Sequence, residues 1–201
     1  MRKLITATAF LSCSILMMDL GLRAQAPQQV QTLLQQLQSA QNTDQAAEKL
    51  LKLANSDPKV RDQLAVRLPA ILDKGPQEPA QPWTNAVHLA GELKIAEAAP
   101  ALAKWIRLNT STGTLSLSRE ARLVDYPAGQ ALVQIGAPAI PALVGVLDSG
   151  NLYERWNAAY ALNLIGSPQA KTALRDHLKR EPDSTMRDFI EKAGSIKGDV
   201  K

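Results

Sequence analysis

Apolar positions along this 201-residue chain recur at intervals of three and four, the spacing of one helix face, rather than in strand-like alternation. Val30, Leu33, Leu34 and Leu37 mark the inward side of a Gln-rich helix, and Ala47, Leu50, Leu51 and Ala54 that of a second. Asp57-Pro58 reads as a cap followed by the first residue of a third helix, with Val60, Leu64, Leu68 and Leu72 on one side. Pro69 is expected to kink or end that helix. Lys74 to Pro82 holds three prolines and reads as a loop. Near the other end Asp183-Ser184 opens a last helix with Met186, Phe189 and Ile190, and its charged remainder reads as a polar cap. The final residues are expected to fray.

Between these flanks the chain repeats itself. The first unit runs Ala86-Val87-His88-Leu89-Ala90-Gly91-Glu92-Leu93 and then Ala98-Ala99-Pro100-Ala101-Leu102. The second is Ala128-Gly129-Gln130-Ala131-Leu132-Val133-Gln134-Ile135-Gly136, then Ala139-Ile140-Pro141-Ala142-Leu143. The third is Ala158-Ala159-Tyr160-Ala161-Leu162-Asn163-Leu164-Ile165-Gly166, then Ala170-Lys171-Thr172-Ala173-Leu174. Leu102 and Leu143 lie 41 residues apart, Leu143 and Leu174 only 31, so the first interval carries an insertion. In each unit a small-residue helix ends on an aliphatic side chain and a tight turn follows. Gly136 or Gly166 marks that turn in two units, and Pro138 or Pro168 sits near the next helix start. Alanines at the crossing positions let helices approach closely. The expected fold is all-α: antiparallel helical hairpins that bury a core only by stacking, as a right-handed α-solenoid.

At Ala131-Leu132-Val133-Gln134-Ile135-Gly136-Ala137-Pro138-Ala139-Ile140-Pro141-Ala142-Leu143 and Ala158 to Gly166 the chain resembles the HEAT-repeat (armadillo-like) family, especially the short phycobilisome-lyase-like variety. The resemblance spans roughly residues 83–181. It implies a ladder in which an Asp of the inter-repeat turn pairs with an Arg opening the next helix. Asp148 and Arg155 fall at those places, which implies a structural pairing for them. The second unit departs from the pattern, with Asp125 where the Arg would stand and Arg122 one turn earlier. The organisation expected is a leader over 1–26, capping helices over 27–82, and repeats with a C-terminal helix over 83–195. Such motifs specify fold and say little about activity.

Composition sharpens this picture at the N-terminus. Met1-Arg2-Lys3, the apolar run Leu4 to Met18 and Ala24-Gln25-Ala26 form the pattern of a secretory signal peptide cleaved after Ala26. The apolar run is interrupted by Asp19 and too short to span a bilayer. The expectation is therefore a periplasmic or secreted protein beginning at Pro27. The one cysteine, Cys13, lies inside the leader, and a lipoprotein reading through it ranks second because the apolar stretch continues past it. A mature chain without cysteine forms no disulfide and depends on its helical core. Cleavage would also remove Arg2, Lys3, Arg23 and Asp19. That leaves 20 basic against 18 acidic residues, so the precursor pI of 9.3 overstates any attraction to polyanions. No basic stripe is visible, and nucleic acid is not an expected partner.

Candidate chemistry is sparse. His88 and His177 stand in different repeats; His88 reads as a packing residue and His177 as part of an exposed helix. Neither HxxxH, HExxH nor a Cys cluster occurs, so no metal site is expected. There is no GxSxG elbow, SxxK or Gly-rich phosphate loop, so no catalytic residue and no cofactor is assigned. The insertion Leu108 to Ser118 is rich in Ser and Thr, and solenoid insertions project as loops that carry contacts or are merely tolerated. It includes the sequon Asn109-Thr110-Ser111. Arg119 to Pro127, which follows, reads as a hydrogen-bonded junction pinning the insertion to the stack.

The resemblance implies that second helices line the concave side. With Ala98, Leu102 and Trp105 turned inward, the outward row is Glu97, Pro100, Lys104 and Arg107. The equivalent rows are Pro138, Pro141, Gly145, Asp148 and Gln169, Thr172, Asp176, Lys179. Mixed charge and a nearly bare middle row suit a protein or peptide surface. Expected binding positions are Glu97, Lys104, Arg107, Asn109, Thr110, Asp176 and Lys179. Trp83, Trp105 and Trp156 are expected mainly in the core. The function expected is a non-enzymatic binding or scaffold module, with a lyase-like, cofactor-handling protein as the alternative.

Overall fold

The computed structural model describes residues 28–109 and 125–196. The leader with Cys13, the insertion from Thr110 onward, and Arg122 lie outside the described residues. Every regular element among those described is helical. They are α1 (28–37), α2 (Thr43–Ser56), α3 (Pro58–Asp73), α4 (Gln81–Glu92), α5 (Ala99–Ala103), α6 (Pro127–Ile135), α7 (Ile140–Ser149), α8 (Leu152–Ile165), α9 (Pro168–Leu178) and α10 (Ser184–Ile196). Short 3-10 turns at Ala96–Ala98 and Ala137–Ala139 lead into α5 and α7.

Contacts divide these helices into two rows. In one, α2 packs on α4, α4 on α6, α6 on α8 and α8 on α10; in the other, α3 packs on α5, α5 on α7 and α7 on α9. Diagonal contacts of α3 with α4, α5 with α6, α7 with α8 and α9 with α10 join the rows. The first row is held by small residues: Ala86, Ala90 and Gly91 on α4, Ala128 and Ala131 on α6, Ala158 and Ala161 on α8, all buried. At Gly91 the approach is close, since a Cβ there would lie 3.1 Å from the Ala131 Cα and would overlap the Gln134 side chain. The second row contributes larger wedges, including Leu64, Leu68, Leu72, Leu102, Leu143 and Leu147, each almost completely buried. One continuous apolar core runs from Val30 to Ile190.

Local chemistry explains where these helices start and stop. Asp57 accepts from the Lys59 amide (2.9 Å) ahead of Pro58, the cap-then-proline start expected for α3. Asn151 and Glu154 form a reciprocal capping box at α8, and Ser167 caps α9. Asp183 accepts from the Met186 amide at the start of α10 (2.8 Å). Gly136 ends α6 with φ 80° and ψ −135°, a region open essentially only to glycine, and Gly166 ends α8 left-handed. In the first unit Lys94 takes the corresponding place at φ 50°.

Two backbone carbonyls receive side-chain hydrogen bonds from distant helices. Trp83 Nε1 donates to Leu72 O (3.2 Å), tying α4 to the end of α3, and Asn157 Nδ2 donates to Ile106 O (3.0 Å), tying α8 to the segment after α5. Pro69 does not end the helix: α3 continues through it to Asp73. Val60, Leu64, Leu68 and Leu72 are all buried along that helix, and this packing outweighs the local penalty of proline.

Candidate functional site

The outward rows lie where spacing put them. Glu97, Pro100, Lys104 and Arg107, then Pro138, Pro141, Gly145 and Asp148, then Gln169, Thr172, Asp176 and Lys179 are all exposed. They ride on or beside α5, α7 and α9, three successive members of one row. Most of their charge is already matched. Lys104 Nζ meets the Asp73 carboxylate from α3, Lys179 Nζ lies 2.8 Å from Asp176, and Arg180 closes on Asp148. The hydrogen bond and charge of Lys179 hold the Asp176 carboxyl below its ordinary value. Arg107 stands 5.1 Å over the Tyr153 ring of α8, in cation–π range. Asn109 and Asp125 are half-buried, each with a partner interaction, and Thr110 lies outside the described residues.

Two of these pairs occupy equivalent places. Asp73 ends α3 and reaches Lys104 just past α5; Asp148, near the end of α7, reaches Arg180 just past α9. Each spans one repeat along the same row. Polar links also run along the other row: Asn85 Nδ2 donates to Asp44 Oδ1 (2.7 Å) and Thr43 Oγ1 (3.1 Å), and Gln134 Nε2 to Glu92 Oε1 (3.0 Å). These links join neighbouring helices within each row.

The pairing implied for Asp148 and Arg155 is corrected. Asp148 turns to Arg180 and towards His177, while Arg155 forms a two-pronged contact with Glu181, Nε to Oε2 at 3.0 Å and Nη2 to Oε1 at 2.8 Å. Arg155 also donates to Gly150 O (3.1 Å). The two residues are joined only through His177 and Glu181. The ladder fails because Glu181, brought in by the turn after α9, presents both carboxylate oxygens to the planar guanidinium fork.

Glu181 is the centre of this cluster. Its side chain is fully buried, and it accepts from Arg155, from the Asp183 amide (2.9 Å) and from the His177 ring, Nε2 to Oε2 at 2.7 Å. Burial by itself would push the carboxyl up. The hydrogen bonds from Arg155, the Asp183 amide and His177 outweigh it and bring Glu181 down to about 2. The bond to Glu181 in turn raises Arg155 above its ordinary value. Arg187 Nη1 donates to the Glu181 and Pro182 carbonyls (2.7 and 3.0 Å), fastening α10 to the same turn.

Both histidine expectations are reversed. His177 is buried, with Ala170 and Leu174, on the core stripe of α9, and His88 is exposed on α4. The spacing of α9, i, i+4, i+7 from Ala170, places His177 inward, while the inward set Trp83, Val87 and Ala90 turns His88 out with Asn85 and Glu92. Among the described residues no group of His, Cys, Asp and Glu is arranged to hold a metal ion. Of the tryptophans, Trp83 is buried; Trp105 and Trp156 are half-buried against the core, Trp105 edge-on to Trp83 and Trp156 against Phe189.

The Glu181 cluster, α6 to α9 and most of α10 fall within the stretch that matches a known family: residues 114–193 match the family described as HEAT repeats, which supports a HEAT-repeat protein. No curated protein matches the chain. No single helix among the described residues is long and apolar enough to cross a membrane.

Proposed function

We propose that this chain is a non-enzymatic protein-binding or scaffold module, its hairpins stacked as a right-handed α-solenoid whose α5, α7 and α9 rows face a protein or peptide partner. The observation that carries this reading is the exposure of all twelve outward positions on successive helices, with their charges largely cancelled in pairs. Such a surface offers shape and hydrogen bonding rather than a field for polyanions. Its middle is open: a Cβ placed on Gly145 meets nothing within 4 Å.

Gly145 therefore supplies the test. Gly145→Arg projects a long side chain from the middle of the face, and arginine is the better helix former, so folding is preserved. After gentle crosslinking in the native host, a specific partner is expected with the wild-type chain and lost with Gly145→Arg. Recovery of free monomer alone from both would overturn the reading.

We further propose that the protein is exported, with residues 1–26 removed. The basic start, apolar run and Ala24-Gln25-Ala26 support this. The intact mass of the exported protein is expected to correspond to a chain starting at Pro27. A lipid-bearing N-terminal Cys13 would replace this reading with the lipoprotein one.

A further inference from the structure

We propose that His177 is a proton-operated clasp: protonating its Nδ1 creates a charge-assisted hydrogen bond to Asp148 that fastens the end of α7 to the α9–α10 turn. The argument starts from the ring's two nitrogens. Nε2 lies 2.7 Å from the buried carboxylate of Glu181, so Nε2 carries a proton and donates it there. In the neutral ring Nδ1 is then a lone pair, and it is buried without a hydrogen-bond partner. The group it faces is Asp148 Oδ1 at 3.7 Å, beyond hydrogen-bond range and itself an acceptor. Acceptor confronts acceptor, and a satisfied core would not leave the site so.

A proton on Nδ1 removes the conflict. Nδ1–H then points at a carboxylate, and the ring becomes a cation between Glu181 and Asp148. Bond formation needs the gap to close by about 1 Å, to the ~2.8 Å of a charge-assisted contact. Asp148 is exposed and its side chain has room to move.

The surrounding charges leave that proton its place. From α8, Arg155 is taken up by the two Glu181 oxygens and Gly150 O. Just past α9, Arg180 binds the same Asp148 oxygen from the exposed side. On α9 itself Asp176 pairs with Lys179, and Arg175 is exposed. On the α10 side, the Asp183 amide and Arg187 address Glu181 and its backbone. With a neutral ring the two carboxylates are balanced by two guanidiniums, so the imidazolium adds one positive charge between its two acceptors.

The clasp would grip the turn that holds α10. Glu181 joins α8, α9 and α10, and α10 lays Phe189 over Trp156. Tightening Asp148 onto His177 extends that hub to α7.

The test uses the full chain. Its two histidine rings are followed by NMR across pH, with exposed His88 as an internal reference and His88→Gln confirming the assignment. Hydrogen exchange of amides in the second half of α7 and in residues 177–190 is followed across the titration of the His177 ring, corrected for intrinsic rates. Protection is expected to rise roughly tenfold as the ring takes up its proton. Asp148→Ala should abolish that pH dependence, whereas Arg180→Gln should keep it. Both sites are exposed, so both variants fold. Protection that stays flat or falls as His177 protonates would overturn the proposal, as would an unchanged response in Asp148→Ala.

Discussion

At the scale of residues, the Arg155–Glu181 pair gives the sharpest expectations. Removing one partner from a buried pair leaves the other charge without compensation. Arg155→Met, which strands the fully buried Glu181, should cost about 3–5 kcal/mol in urea unfolding at neutral pH. Glu181→Gln should cost less, about 1–3 kcal/mol, because the Arg155 guanidinium retains some access to water. The pH dependence follows from Glu181 being depressed to about 2 from an ordinary 4.5. An unfolded carboxyl takes up its proton first, so this contribution is present above pH ~4.5 and lost as pH falls towards ~2. Arg155→Met removes the leading cause of the depression and should flatten the acid limb between those values. None of this partnership was legible beforehand. Arg155 and Glu181 are 26 positions apart, and nothing in local spacing distinguishes Glu181 from Asp148 as the acceptor.

At the scale of elements, periodicity served well wherever a helix has one inward stripe. Val30, Leu33, Leu34 and Leu37, and Val60, Leu64, Leu68 and Leu72, are buried as spacing requires. His177 lies inward in register with Ala170 and Leu174, and its exposed neighbours Arg175 and Asp176 mask that register in the sequence. Pro69 does not end α3, because propensity is a local term and the helix is stabilised mainly by the neighbours it packs on. That helix still carries the local penalty. Pro69→Ala restores an amide donor at a half-buried position and should stabilise the protein by about 1–3 kcal/mol, seen as a raised urea midpoint with unchanged slope. The turn after α6 behaves in the opposite sense. A Cβ on Gly136 would meet only the Val133 carbonyl at 4.0 Å, so space does not forbid it; conformation does. Gly136→Ala should cost about 1–3 kcal/mol through backbone strain alone.

At the scale of the whole molecule, the proposed stack raises the question of what covers its ends. A repeat array buries each hairpin against the next, so an apolar face left at either end would recruit another copy. The solvent sides of the first and last described helices are polar. α1 turns Gln28, Gln29, Gln31 and Gln35 to solvent, and α10 turns Ser184, Thr185, Asp188, Glu191 and Lys192. Their inward sides, Val30, Leu33, Leu34 and Leu37 at one end and Met186 and Ile190 at the other, close a single core. The protein should therefore sediment as a monomer at micromolar concentration, with no dependence of its thermal midpoint on concentration. The capping role of α10 makes that expectation specific. A chain ending after Pro182 loses Met186, Phe189 and Ile190, and uncovers the Trp156 ring that Phe189 faces at 4.6 Å. It keeps the Arg155–Glu181–His177 contacts but loses the Asp183 amide and Arg187, so Arg187→Gln in the full chain, which weakens the same turn and leaves α10 in place, is the control that separates the uncovered face from the loosened cluster. That truncated chain should self-associate, and its thermal midpoint should rise with concentration. If it stayed monomeric, the polar face of α10 would not be what ends the stack.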